Sequence, residues 1–164
     1  MNVILAGMPA CGKTTVARAL AKLIGAEVYD TDQKIVESCG AINEIFSQYG
    51  ETAFRNLETE EVKKASALDN LIISTGGGCV LREENVALLK KSGKIVYLRT
   101  SLQTLLSRVN GDGARPLLKG GAEQKMKALF EERSPVYMRV ADIVTDTDGL
   151  SPEEIASKIA ELVK

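Results

Sequence analysis

The chain has 164 residues, of which 45% are hydrophobic, so it is long enough for one domain with its own core and too short for a second. Its 21 basic and 22 acidic residues give a net charge of −1, which excludes the broad positive field that nucleic-acid binding requires. Histidine is absent and the three cysteines lack C-x-x-C spacing, which excludes Ser-His and Cys-His nucleophiles, a disulfide framework and a zinc site.

The amino terminus enters a strand-like apolar run, with no basic start and no cleavage site. No apolar stretch approaches the ~20 residues of a membrane span. We therefore expect a cytoplasmic protein with reduced thiols, and with neither a membrane nor a nucleic acid as partner.

Short apolar runs alternate with helical periodicity along the chain. The predicted strands cover residues 2–6, 27–29, 71–75, 94–98 and 143–145. The predicted helices cover residues 13–24, a helical cluster over 32–68, 83–91, 102–109, 123–140 and 152–163. Strands that alternate with helices predict a five-stranded parallel sheet with helices on both faces, which is a three-layer α/β/α sandwich. Ligands bind such sheets at the carboxyl ends of the strands.

One segment breaks this alternation. Residues 110–121 carry four glycines around Arg115, and we expect a mobile loop there. Nothing between the other elements is long enough to be an interdomain linker, so the prediction is a single domain over residues 1–164.

The first strand and the first helix are joined by the motif G-x-x-x-x-G-K-[ST], with Gly7, Gly12, Lys13 and Thr14 at its fixed positions. The glycines let the backbone turn tightly, and successive N–H groups at the helix N-terminus form a phosphate site. Lys13 is predicted to bridge the outer phosphates. The Thr14 hydroxyl is predicted to bind Mg²⁺, which prefers oxygen ligands.

A phosphate-binding loop of this kind serves GTPase switches, motors, helicases and small-molecule kinases. The chain has no N-K-x-D sequence, which disfavours a guanine-specific switch. Its length leaves little room for a motor or helicase core. A small-molecule kinase is therefore favoured.

Further motifs follow in order along nearly the whole chain. They are Asp30 and Asp32, Arg55 with Glu58, Gly76 with Gly77 and Gly78, Arg108, Arg115 and Arg133. This ordered set resembles the shikimate kinase family. The resemblance implies a P-loop kinase fold with a lid over residues 110–121 and a substrate-binding helical region over residues 32–60. It also implies transfer of the γ-phosphoryl group of ATP to the 3-hydroxyl of shikimate with Mg²⁺, in the chorismate pathway to aromatic amino acids.

On the nucleotide side, the resemblance assigns Asp30, with Thr14, to the magnesium shell and Arg108 to adenine. Arg115 is expected to reach the phosphates as an arginine finger within the same chain. Pro152, in the turn before the last helix, is a further candidate for adenine. The predicted nucleotide-binding residues are Gly7, Ala10, Cys11, Gly12, Lys13, Thr14, Thr15, Arg108, Arg115 and Pro152.

On the acceptor side, the resemblance assigns Asp32 to the substrate hydroxyl, which it orients and deprotonates. Arg55 and Arg133 supply a cationic fork, because guanidinium groups bind carboxylates through paired bonds. Glu58 is expected to hold Arg55 from one helical turn away. Taken alone, the aspartates also fit a solvated turn, and Arg55 and Glu58 fit an ordinary surface ion pair. The glycines predicted to line the substrate are Gly76, Gly77 and Gly78. The predicted catalytic residues are Lys13, Asp32 and Arg115.

Alternatives remain open on the sequence. A gluconate kinase shares the phosphate loop and phosphorylates a polyol acid, but that family usually has a histidine after the second-strand aspartate, and this chain has none. A nucleoside monophosphate kinase fits less well, because the arginines and glycines suit a carboxylated ring. A nucleotide-binding sensor without turnover is disfavoured by the intact catalytic set. We expect a monomer whose partners are shikimate and ATP or ADP.

Overall fold

The computed structural model describes residues 1–110 and 121–164. Within them, five parallel strands form one sheet in the spatial order β2-β3-β1-β4-β5. The strands are β1 (Asn2–Ala6), β2 (Glu27–Asp30), β3 (Leu71–Ser74), β4 (Gly93–Arg99) and β5 (Ile143–Asp146). The predicted five-stranded parallel sheet is confirmed.

The central strand shows why the sheet must have helices on both faces. β1 pairs with β3, where Leu5 lies opposite Ser74, and with β4, where Ala6 lies opposite Tyr97. All five residues of β1 are buried, although successive side chains of a strand point to opposite faces. Both faces are therefore covered, which confirms the predicted three-layer sandwich.

The helices account for the two outer layers. In the described residues they are α1 (Lys13–Ile24), α2 (Thr31–Cys39), α3 (Ile42–Ser66), α4 (Glu83–Ser92), α5 (Leu102–Asn110), α6 (Ala122–Val140) and α7 (Pro152–Leu162). α1 packs against α7, and α3 packs against α4. No helix in these two ranges is both long enough and apolar enough to cross a membrane.

The helical cluster predicted over residues 32–68 consists of two helices with a small core of their own. α3 is kinked at Gly50, whose φ of 86° lies in the left-handed region. Ile35 of α2 packs with Ile45 and Phe54 of α3, apart from the main core around the sheet. This second core holds α2 and α3 together beside the carboxyl ends of the strands.

Several boundaries differ from the predicted ones by a residue or two. β2 includes Asp30, β3 ends before Thr75, and Asn110 belongs to α5. α7 begins as its sequence indicates, because the Ser151 hydroxyl accepts a bond from the Glu154 N–H and the Glu154 carboxylate accepts one from the Ser151 N–H. The predicted loop over residues 110–121 lies mostly outside the described residues.

Candidate functional site

Three loops meet at the carboxyl edge of the sheet, because β1, β2 and β3 are parallel neighbours that end on the same side. They enclose a cleft of about 490 Å³. The residues that line this main cleft are Pro9, Ala10, Gly12, Lys13, Thr14, Thr15, Asp30, Asp32, Gln33, Val36, Ser74, Thr75, Gly76 and Gly77. The cleft therefore combines the predicted phosphate loop with residues from both neighbouring strand ends.

The phosphate loop, residues 7–12, has a backbone that requires glycine at two positions. A Cβ on Gly7 would lie 2.9 Å from the Cys11 sulfur and 3.0 Å from the Leu98 carbonyl oxygen. Gly12 has a φ of 95°, in the left-handed region, and directly precedes α1. Cys11 is buried, so its thiol faces the core rather than the cleft. The loop can therefore present its backbone N–H groups to a ligand.

Two cations lie on the phosphate loop. The Lys13 ammonium donates to the carbonyl oxygens of Gly7 at 2.7 Å and Met8 at 3.1 Å. The Arg108 guanidinium, from α5, donates to the carbonyl oxygen of Ala10 at 2.8 Å. Arg108 thus reaches the loop across 98 residues of sequence, and its predicted adenine contact stays a prediction.

The two predicted aspartates lie in different elements of secondary structure. Asp30 is the last residue of β2, and its carboxylate accepts the Gln33 N–H at 3.1 Å as the N-cap of α2. Asp32 lies in the first turn of α2, so the two-residue alternation of a strand does not apply. Asp30 and Asp32 nevertheless both line the main cleft.

Asp32 has the electrostatic environment of a reactive carboxylate. Its Oδ1 is buried and has no hydrogen-bond partner in the described part of the chain. Burial raises the pKa of Asp32, and the charge of Asp30 raises it further, while Lys13 and Arg55 oppose the shift. Asp32 therefore lines the cleft, while one of its carboxylate oxygens is buried without a partner in the described ranges.

Glu58 is a buried carboxylate that pairs with Arg55. The Glu58 side chain is 1% exposed, and its Oε1 accepts from Nη1 of Arg55 at 3.1 Å. Burial raises the pKa of Glu58, and the neighbouring Arg55 opposes this shift. Oε2 has no partner among the described residues. The pair is therefore not the exposed ion pair that the sequence alone also allowed.

Gly76, Gly77 and Gly78 form a glycine wall against which four charged side chains pack. A Cβ on Gly76 would lie 2.7 Å from Oδ1 of Asp32 and 3.0 Å from Oε2 of Glu58. The two unpaired carboxylate oxygens thus face the same point of the backbone. Glycine is required here because any side chain would occupy the space that the carboxylates use.

The next two glycines face the two predicted acid-binding arginines. A Cβ on Gly77 would lie 2.8 Å from Nη1 of Arg133, and one on Gly78 would lie 2.5 Å from both terminal nitrogens of Arg55. Adjacent Cα atoms are ~3.8 Å apart, so the guanidinium groups meet neighbouring points of one backbone stretch. The structure thus brings together Arg55 and Arg133, which lie 78 positions apart in the sequence.

α6 is fixed to the glycine wall by Tyr137. Its hydroxyl donates to the Gly77 carbonyl oxygen at 2.6 Å, and its ring packs on Tyr97 with the centroids 5.1 Å apart. Arg133 lies one helical turn earlier, and its Nε is buried without a partner in the described ranges. α6 therefore places the Arg133 guanidinium at the glycine wall, where its Nε–H has no acceptor among the described residues.

The donors in the cleft fit Mg²⁺ as a nucleotide-borne ion. Within residues 1–110 and 121–164 no group of three carboxylate, histidine or cysteine side chains could enclose a metal. Thr14 and Asp30 both line the cleft and offer hard oxygen donors. Mg²⁺ is typically held by one or two such groups together with phosphates and waters.

Some cleft residues were not predicted from the sequence, and some predicted residues lie elsewhere. Pro9, Gln33 and Val36 line the cleft; Val36 follows Gln33 by three residues and Asp32 by four, a helical spacing that could have indicated them. The predicted site residues that are described but are not among the cleft-lining residues are Gly7, Cys11, Arg55, Glu58, Gly78, Arg108, Arg133 and Pro152, which opens α7. Arg115 lies outside the described residues.

The sequence of the chain is similar to known sequences over nearly its whole length. A family model described as shikimate kinase matches residues 9–164. A shikimate kinase of Thermodesulfovibrio yellowstonii is 42% identical over 160 residues, which are 96% of this chain and 92% of that protein. One from Geobacter sulfurreducens is 41% identical over 165 residues, with 99% of this chain and 91% of that protein covered.

Solved structures agree with the sequence relatives. A shikimate kinase from Acinetobacter baumannii in complex with shikimate has a TM-score of 0.89 and 38% identity, over 99% of this chain and 92% of that one. A shikimate kinase from Aquifex aeolicus has a TM-score of 0.85 and 35% identity, over 98% and 95% of the two chains. The resemblance inferred from the motifs is confirmed, and the chain belongs to the shikimate kinase family.

Proposed function

We propose that the protein transfers the γ-phosphoryl group of ATP to the 3-hydroxyl of shikimate, giving shikimate 3-phosphate and ADP. The observation that carries this proposal is the joint packing of Arg55, Arg133 and Asp32 against the glycine wall. This wall adjoins the phosphate loop in one cleft. A small ring with one carboxylate and several hydroxyls has the matching chemistry.

The phosphate loop supplies the nucleotide end of the reaction. Its N–H groups and the N-terminus of α1 bind the phosphates, and Lys13 exchanges its bonds with the Gly7 and Met8 carbonyls for phosphate oxygens. Thr14 and Asp30 would hold Mg²⁺, directly or through water. Bound there, the ion neutralises charge on the phosphates.

Asp32 acts on the acceptor hydroxyl. Its carboxylate lines the cleft and accepts the hydroxyl proton as the hydroxyl oxygen attacks the γ-phosphorus. The raised pKa of Asp32 makes this carboxylate a stronger base than a solvated aspartate. Because phosphoryl transfer needs little covalent help from the protein, orientation of the hydroxyl is the larger part of this role.

Arg55 and Arg133 hold the substrate carboxylate. Each guanidinium has several donors in a fixed plane, and the carboxylate takes paired, charge-assisted bonds from such groups. Glu58 keeps Arg55 in orientation through the 3.1 Å bond to its Nη1. The substrate ring then lies along the glycine wall, with one end at the arginines and its hydroxyls at Asp32.

The remaining roles rest on the family resemblance. Arg108 is expected to pack on adenine from its position on the phosphate loop, with Pro152 as a second contact. Arg115, outside the described residues, is expected to stabilise charge on the transferred group. A monomeric state, a cytoplasmic location and the single-domain organisation also stay predictions.

A coupled ADP-release assay tests the proposal. The purified protein is given Mg-ATP with shikimate, with gluconate, or with no acceptor. We expect release with shikimate, and a product whose phosphorus signal in NMR couples to the ring proton at carbon 3. Release only with gluconate, or ATP binding without turnover on either acid, would contradict the proposal.

A further inference from the structure

Arg82 connects the helix that carries Arg55 to the turn that follows the glycine wall. It lies between a 3-10 turn at Cys79–Leu81 and the start of α4. Its Nη1 is within bonding distance of three oxygens of α3: the Arg55 carbonyl at 3.3 Å, Oδ1 of Asn56 at 3.0 Å and Oγ1 of Thr59 at 3.0 Å. Because Nη1 carries two hydrogens, these acceptors share them.

The bonds converge on the main chain of Arg55. The Thr59 hydroxyl accepts from Arg82 and donates to the Arg55 carbonyl at 3.1 Å, so the three groups form a closed set of hydrogen bonds. Thr59 is 4% exposed, so water competes little for these bonds. The position of the Arg55 backbone is therefore coupled to Arg82.

The other end of Arg55 is in contact with the same short segment. Its guanidinium lies against Gly78, four residues before Arg82. The turn between them is fixed by Asn85, a 1% exposed residue whose Nδ2 donates to the Cys79 carbonyl at 2.9 Å. One segment thus contacts Arg55 at its charged end, through Gly78, and at its carbonyl, through Arg82.

We propose that Arg82 is a positioning residue for carboxylate binding, which fixes Arg55 relative to the glycine wall without itself touching the substrate. This inference rests on the proposed function. The charge of Arg82 also supports this role. It lowers the pKa of Glu58, opposing the effect of burial, and so favours the ionised carboxylate that pairs with Arg55.

The test compares steady-state kinetics of Arg82→Ala, Arg82→Lys and Lys63→Ala with the unmodified protein. Lys63 is the matched control, because it also joins α3 to α4, through Glu84 at 3.8 Å, but lies on the exposed surface. For Arg82→Ala we expect the KM for shikimate to rise about tenfold, while kcat and the KM for ATP change less than about twofold. The lysine variant should recover part of the loss, and Lys63→Ala should match the unmodified protein.

A double variant separates positioning from general destabilisation. If Arg82 acts through Thr59, then Thr59→Val with Arg82→Ala should raise the KM for shikimate by less than the product of the two single effects. An unchanged KM for shikimate in Arg82→Ala, or equal losses for both substrates, would overturn the inference while leaving the proposed function standing. An unmodified protein that releases no ADP with shikimate would overturn both.

Discussion

The phosphate loop and the acid pocket, which comprises Asp32, Arg55, Glu58, Arg133 and the glycine wall, adjoin at Asp32, Gly76 and Gly77, which line the same cleft as the loop, but they are built differently. The loop is one contiguous segment whose backbone N–H groups are available for binding, and its geometry depends on Gly7 and Gly12. The acid pocket draws its side chains from three helices.

This difference predicts which kind of substitution should damage each region. The loop depends on backbone conformation, so a change of φ preference at Gly12 damages it locally. The acid pocket depends on charged side chains held by buried bonds, so its geometry changes when a supporting contact far from the ligand is removed. Nucleotide affinity and acid affinity should therefore respond to different substitutions.

The largest effect should come from Asp32, where the two regions meet. Asp32→Asn keeps the shape and removes the proton acceptor, so we expect kcat to fall by about 10²–10³-fold with little change in ATP affinity. Rapid-quench or steady-state assays measure kcat, and nucleotide titration measures affinity. Glu37→Gln, an exposed change on the same helix, is the control. A kcat within about threefold of the unmodified protein would rule out Asp32 as the base.

A pair of glycine substitutions should separate the two regions directly. Gly12→Ala places a side chain at a φ of 95°, which costs about 1–2 kcal/mol, so the KM for ATP should rise. Gly78→Ala places a Cβ 2.5 Å from the Arg55 guanidinium, so the KM for shikimate should rise by about 10–100-fold.

A control variant accompanies these two glycine substitutions, and one outcome would contradict the prediction. Gly25→Ala is a matched control, because Gly25 also has a left-handed φ, of 70°, and its Cβ would meet nothing within 4 Å, but it lies at the opposite end of α1 from Gly12. The clash at Gly78 is with the end of a flexible side chain, so thermal stability should change little. If both variants raise the KM of the same substrate, the two regions are not separate.

The sequence predicts the phosphate loop well because its signal is local. Gly7, Gly12, Lys13 and Thr14 lie within one short motif between a strand and a helix, and the structure has that strand and that helix at the predicted residues. The parallel sheet follows in the same way from alternating apolar runs. No long-range information is needed for either.

Other features of the site could not be derived from local pattern. The start of α2 within the Asp30–Asp32 segment depends on the Asp30 cap, a contact that the spacing of the two aspartates does not indicate. The contact of Arg82 with Arg55 joins residues 27 positions apart, and no periodicity encodes it. A family resemblance indicated which residues matter, while their hydrogen bonds required the folded chain.

A smaller effect on shikimate binding is expected from substitution of Tyr137, whose hydrogen bond to Gly77 joins α6 to the glycine wall. Tyr137→Phe leaves the partly buried Gly77 carbonyl without its 2.6 Å donor, which should cost about 1 kcal/mol of unfolding free energy. The KM for shikimate should rise about two- to fivefold through a shift of α6. Chemical denaturation and kinetics measure the two effects. Tyr49→Phe, at a side chain that is 71% exposed, should change neither.

The smallest expected effect is on thermal stability. Asp32→Asn should stabilise the fold, and the size of this gain should depend on pH. The folded-state pKa of Asp32 is raised, chiefly by burial, so the folded protein binds a proton more readily there than the unfolded chain does. The unmodified protein therefore loses stability as pH rises from the unfolded to the folded pKa, and the loss persists at neutral pH. The melting temperature of Asp32→Asn should exceed that of the unmodified protein at pH 7, and the difference should shrink as the pH falls through this interval. A variant less stable than the unmodified protein at neutral pH would show that the ionised Asp32 stabilises the fold and would contradict this prediction.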